Sequence, residues 1–128
     1  MTLSHPSTNG LTANIIGAAT EVHREVRPGM LESSYSEALC IELGDRKIAF
    51  SAQPLLPVFY KGRKLRTHYR PDFIIDEQVV VELKAVEKVL DIHRAQVLTY
   101  LKHTGLKVGL LFNFNTQLLK HGTWRVSL

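Results

Sequence analysis

Apolar and polar positions change their period along the chain. From Leu11, apolar residues recur at Ile15, Ile16, Ala19, Val22 and Val26, the spacing of one helix face. Pro28-Gly29 stops or kinks that helix. A second helical stretch carries Leu31, Tyr35, Ala38, Leu39 and Leu43 on one side, with Gly44 as its expected C-terminal cap. Residues 48–51 and 55–60 then read as strands, and Pro54 and Pro57 place the second at an edge. Lys61-Gly62 marks a turn, residues 65–75 are extended, and residues 79–84 form a strand rich in β-branched side chains. Asp91 is the expected cap of a helix over residues 92–104 that ends at Gly105. Residues 107–112 read as a buried strand and residues 123–126 as a short closing one. The order α-α-β-β-β-β-α-β predicts a mixed α/β domain over residues 11–128, preceded by a loose tail at residues 1–10. No repeat, low-complexity tract or linker divides the chain.

Composition narrows the function classes. The 128 residues suit one domain, and 45% apolar with 22% charged residues is ordinary for a globular protein. The longest uncharged stretch, residues 50–60, is broken by Gln53, Pro54 and Pro57 and is too short to span a membrane. The N-terminal MTLSHPSTNG has no basic head or apolar middle, so a secretory signal is not expected and a cytoplasmic location is. A single cysteine, Cys40, excludes an internal disulfide and a thiol-rich metal site. It reads as a small buried residue beside Leu39 and Leu43.

The net charge of +4 is unevenly spread. Residues 46–70 hold seven basic residues (Arg46, Lys47, Lys61, Arg63, Lys64, Arg66 and Arg70) and no acid. Such a segment attracts a polyanion such as nucleic acid. It also fits a solvated hairpin whose lysines discourage edge pairing.

The segment RPDFIIDEQVVVELKAVEK, residues 70–88, carries the chemistry. If Asp76, Glu77 and Gln78 form the loop, Ile75 pairs with Val79, Phe73 with Val81 and Asp72 with Glu82. Asp72 and Glu82 then lie side by side, Lys84 shares their face two residues on, and Ile74 and Val80 make an apolar floor. A two-residue loop would instead set Asp72 beside Val81. Opposed carboxylates near apolar surface are costly, and a divalent cation relieves them. Mg²⁺ is often held by one or two carboxylates and keeps waters for chemistry, with Lys84 placed to assist. The plain structural alternative is a strand-ending Asp72 and a surface pair of Glu82 with Lys84.

Pro71-Asp72 with Glu82-Leu83-Lys84 matches the PD-(D/E)xK motif of the restriction-endonuclease-like superfamily. Gly29, Glu32 and Tyr35 stand in Gly-x-x-Glu-x-x-Tyr spacing, and His93, Gln96 and Tyr100-Leu101 in a His-x-x-Gln-x-x-x-Tyr-Leu run. Gly109-Leu110-Leu111-Phe112-Asn113-Phe114 is similar to a last core strand. Together they resemble the bacterial and archaeal family known by its GxxExxY motif, over roughly residues 11–128. The resemblance implies an α-β-β-β-α-β restriction-endonuclease-like core with a mixed central sheet flanked by helices. It implies Asp72, Glu82 and Glu32 as metal ligands, Lys84 as the catalytic lysine, and Gln96 as a further catalytic residue. Tyr35 and Tyr100 join Arg63, Lys64, Arg66 and Arg70 as expected substrate contacts.

His93, Gln96 and Tyr100 follow one helical stripe, opposite an expected packing stripe of Ala95, Leu98 and Leu101. Other readings stay open beside these roles. Tyr35 and Tyr100 also fit core tyrosines with satisfied hydroxyls. Glu32 also fits a first-turn glutamate, Gln96 a backbone bridge, and His93 a helix cap. His23 reads as structural. The expected function is an Mg²⁺- or Mn²⁺-dependent nuclease acting on DNA or RNA. The alternative is a catalytically silent module that binds nucleic acid or protein on the same fold. So short a core also raises a homodimer as an expectation, by analogy with minimal nuclease cores. No G-x-x-x-x-G-K-[ST] run favours a nucleotide hydrolase, and the six histidines show no zinc-hydrolase spacing.

Overall fold

The computed structural model describes residues 6–128, with side chains from residue 9 onward. Of the expected tail, residues 1–5 lie outside the described residues. Residues 6–10 are helical, so α1 (Pro6–Val26) begins earlier than the apolar pattern indicates. Proline tolerates this first position because its missing N–H has no helical partner there. Arg27 ends the helix in the left-handed region, φ 69°. It precedes Pro28, which disfavours the right-handed helical conformation in its neighbour.

Helix α2 (Glu32–Asp45) buries Tyr35, Leu39 and Leu43. Leu31, expected on that buried side, sits just outside the helix and is 75% exposed. Gly44 lies within the helix rather than capping it. Lys47 takes the left-handed position at φ 58°, and the Lys47 and Ile48 amides close back on Gly44 and Leu43.

The strands are β1 (Phe50–Ala52), β2 (Leu56–Tyr60), β3 (Arg63–Tyr69), β4 (Phe73–Ile75), β5 (Val79–Lys84), β6 (Val108–Asn113) and β7 (Thr123–Ser127). The stretch expected to run unbroken over residues 65–75 divides at Arg70-Pro71, where Pro71 has no ladder donor. Five strands form one sheet in the order β1-β4-β5-β6-β7, while β2 and β3 form a separate two-stranded ribbon. Only β5 and β6 run parallel, so the chain crosses over between them through α3 (Asp91–Thr104). This five-stranded mixed sheet flanked by helices is the restriction-endonuclease-like architecture expected from the motifs.

Both sheet faces are covered. Phe73, Ile75, Val81, Leu83, Leu110 and Phe112 pack with Ile15, Ala18, Ala19 and Val22 of α1 and with α2. Val80 and Leu111 pack beneath Val97, Tyr100 and Leu101 of α3. The packing stripe of α3 is therefore Val97-Tyr100-Leu101; Ala95, expected on it, is exposed. The helix lies close because Gly109 of β6 has no side chain; a Cβ there would stand 2.5 Å from Val97 Cγ1. Cys40 packs at the core margin, where burial first and Glu37 second push its thiol up. No helix among the described residues is long and apolar enough to cross a membrane.

Candidate active site

The site forms where the β4–β5 hairpin runs out. Its register is Phe73↔Val81, Ile74↔Val80 and Ile75↔Val79, the pairing expected from a three-residue loop. Asp76 and Glu77 turn the chain with φ values of 51° and 55°. Beyond Phe73 and Val81, side chains replace the ladder. The Asp72 amide donates to Glu82 Oε1 at 2.7 Å, and the Leu83 amide donates to Asp72 Oδ2 at 2.7 Å. The Gln53 amide donates to the Asp72 carbonyl at 2.8 Å, tying the aspartate to the chain just past β1. Each carboxylate is thus held by the backbone of the other's strand, through charge-assisted bonds that fix its position.

The electrostatic cost expected of this pair is present. Glu82 is 4% exposed. Burial first, and the Asp72 charge second, push its carboxyl up to about 8; the Asp72 amide and Lys84 oppose the rise. Burial also raises Asp72, against the Leu83 amide, Lys84 and a hydrogen bond from Glu82. Lys84 Nζ lies 3.9 Å from Glu82 Oε2. One nearby ammonium does not neutralise the buried Glu82 and the half-buried Asp72 together, so the centre favours an added positive charge, whether proton or cation.

Helices bring further groups from both layers. Glu32, the first residue of α2, is raised by burial and by the Asp72 charge, while Lys84, the Ala85 amide and His93 pull it down. A cleft of about 160 Å³ is lined by Glu32, Ser33, Ser36, Gln53, Asp72 and Leu83. A larger hollow of about 520 Å³ lies elsewhere, lined by Arg94, His121 and Trp124 among others, and holds none of the acid–lysine set. From α3, Gln96 Nε2 donates to Tyr100 Oη at 3.2 Å. Tyr100 is raised by burial first and by Glu82 next, and the Arg70 amide lowers it. Asp72, Glu82, Lys84, Glu32, Gln96 and Tyr100 are therefore one neighbourhood.

Tyr35 does not join them, and its expected substrate contact is corrected. It is fully buried and stacks on Phe114 with ring centroids 4.5 Å apart. Its hydroxyl donates to the Arg27 carbonyl at 2.7 Å and accepts from the Met30 amide at 3.1 Å. It clasps the turn that delivers Glu32. Asp91 is also corrected: it occupies the first helical turn, and His93 closes the helix start by accepting the Leu90 amide at 3.0 Å. Arg63, Lys64 and Arg66 sit on the separate β2–β3 ribbon, and Arg70 follows it; all four are exposed.

Sequence reasoning missed Asn113. It is 2% exposed and pairs with Lys84 across β5–β6. Its Oδ1 accepts the Val86 amide at 3.0 Å and its Nδ2 donates to the Val86 carbonyl at 2.9 Å, fastening the chain that leaves Lys84. A polar residue ending the apolar run VGLLFN was the available signal. His23, read as structural, contacts the Thr116 carbonyl through Nε2 at 2.7 Å.

Among the described residues, no group of three His, Cys, Asp or Glu side chains closes into a ready metal cage. The donor set still fits a hard cation. Asp72 and Glu82 supply carboxylate oxygens with raised proton affinity, and Mg²⁺ is commonly held by two such groups and water. The chain belongs to the PD-(D/E)XK nuclease superfamily, whose family model matches residues 9–126. No curated protein and no solved structure matches it.

Proposed function

We propose that the protein is an Mg²⁺- or Mn²⁺-dependent nuclease that hydrolyses phosphodiester bonds of DNA or RNA. The observation that carries this reading is the reciprocal pinning of Asp72 and Glu82 beside Lys84. A fold gains little from setting a half-buried and a buried carboxylate beside one lysine, whereas metal-assisted phosphodiester hydrolysis uses such a set. A bound divalent cation supplies charge stabilisation at phosphate oxygens and a more acidic water.

The chain's own groups do the rest. Asp72 and Glu82 hold the cation, and Glu32 adds a third acidic group from α2. Lys84 orients the attacking water and offsets charge growing on the phosphate. Gln96 and Tyr100 hold the substrate edge from α3, and Arg63, Lys64, Arg66 and Arg70 bind its backbone. Water adds to phosphorus, one P–O ester bond breaks, and the departing oxygen leaves protonated. Within the superfamily we place the chain in the GxxExxY group on Gly29, Glu32, Tyr35 and the His93–Tyr100 run; the clasp role of Tyr35 accounts for a tyrosine at that spacing. We also propose a cytoplasmic location and a homodimer.

Purified protein incubated with Mg²⁺ or Mn²⁺ and single-stranded, double-stranded and structured substrates tests the reading. Cleavage that stops in EDTA and in Lys84→Ala supports it. No metal-dependent cleavage of any substrate, with binding intact in Asp72→Asn/Glu82→Gln, would establish the silent binding module instead.

A further inference from the structure

The β2–β3 ribbon joins neither core cluster through its outer half. Residues 61–68 are exposed throughout, on both faces of β3. Phe59 and Tyr60, at its outer end, are 58% and 61% exposed. They are consecutive strand residues, so their rings point to opposite faces. Each stands across from a cation: Phe59 from Lys64, and Tyr60 from Arg63. Lys61 Nζ lies 5.5 Å from the Tyr60 ring centroid. The turn between the strands is tight, with Lys61 and Gly62 both left-handed at φ 49° and 77°.

Exposed aromatics beside cations, with no acid anywhere in residues 46–70, match one occupant. Aromatic faces stack on unpaired bases, and neighbouring cations hold the phosphates between them. A duplex offers phosphates but hides the faces of its bases, so the rings would be idle against it. The inner end of the ribbon leads to the acid pair. Tyr69 packs against Tyr100 and His103, with ring centroids 5.8 and 5.1 Å apart, and only Arg70 and Pro71 separate it from Asp72.

We propose that the tip of the β2–β3 ribbon is a base-stacking platform for single-stranded nucleic acid. Phe59 and Tyr60 take unpaired bases, while Lys61, Arg63 and Lys64 take the adjoining phosphates. Single strands, or the unpaired parts of structured ones, are then the substrate class of the neighbouring site. The second statement rests on the nuclease reading; the binding itself does not.

The test measures binding without divalent metal, by fluorescence anisotropy of a labelled mixed-sequence single strand and of its duplex. The wild-type chain binds the single strand more tightly. Phe59→Ala/Tyr60→Ala weakens single-strand binding by at least about tenfold and removes the preference. Arg63→Ser/Lys64→Ser weakens both substrates and flattens the salt dependence by about 0.7 per lost phosphate contact for the single strand. Equal or tighter binding of the duplex, or single-strand binding unchanged in Phe59→Ala/Tyr60→Ala, overturns the platform. Unchanged melting temperatures show that the variants fold. If the platform behaves as stated and no metal cleaves the strand, the nuclease reading fails while this one stands.

Discussion

Strands β5 and β3 are close in length and in position along the chain, and they solve opposite problems. VVVELK of β5 is buried at every position but Lys84, and carries an acid into the interior. RKLRTHY of β3 is exposed at every position but Tyr69, and carries cations into water. In β5 the packing decides nearly everything, so the two residues that serve no packing purpose, Glu82 and Lys84, stand out as candidates for chemistry. In β3 packing decides almost nothing, so its composition is free to follow a ligand. The comparison teaches where to look for function in a small domain: at residues that oppose their surroundings in the core, and at residues without surroundings on an outlying ribbon.

The contrast breaks first at the acid pair. Asp72→Asn/Glu82→Gln is expected to lower kcat for metal-dependent cleavage by at least about 10³-fold, and Lys84→Ala by about 10²–10³-fold. Arg63→Ser/Lys64→Ser is expected to raise KM with little change in kcat. Steady-state kinetics on one labelled substrate separates the two regions; a ribbon variant that loses kcat alone would merge them.

Packing gives the next effect. Gly109→Ala drives a methyl to 2.5 Å from Val97 Cγ1, and is expected to cost about 1–3 kcal/mol in urea unfolding. Tyr35→Phe removes the hydroxyl that bridges Arg27 and Met30, and is expected to cost about 1–2 kcal/mol. Because that turn delivers Glu32, the same variant should also slow cleavage, and unfolding by urea distinguishes the two losses.

A pH series sharpens the electrostatic side. The Glu82 carboxyl rises from 4.5 to about 8 on folding. The folded chain therefore keeps a proton that the unfolded chain releases, and this group's stabilising contribution is complete below 4.5 and lost as pH climbs to about 8. The metal-free melting temperature of the wild type should fall relative to Glu82→Gln across that window. Mg²⁺ should recover the loss near pH 8, and a wild-type curve parallel to Glu82→Gln would contradict the raised carboxyl. The smallest effect belongs to the ribbon: Lys64→Ser and Arg66→Ser are expected to change stability by no more than about 0.5 kcal/mol.

The register of the β4–β5 hairpin was legible because a three-residue loop between two apolar runs leaves few pairings, and that loop length brings Asp72 to Glu82. The left-handed stop at Gly105 was legible for a similarly local reason, since glycine takes φ 79° without strain. Gly44 misled because its helix continues past it, and Lys47 supplies the turn once Ile48 enters the core margin. The α3 stripe misled because Gly109 admits Val97, a fit between two elements that helical spacing alone does not contain. Asn113 escaped notice because its value lies in clasping Val86, a long-range partner.

Period, loop length and turn residues act over a few positions, so the sequence by itself determined the three helices, the strands apart from the break at Arg70-Pro71, and, given a three-residue loop, the hairpin pairing and its acid–acid–lysine set. Tertiary structure alone decided that Tyr35 is a clasp, that Glu32 and Tyr100 reach one centre from opposite layers, and that the outer half of the β2–β3 ribbon stands clear of the core. Those outcomes depend on which distant surfaces exclude water from each other. Burial and the charge environment it creates are properties of the assembled layers.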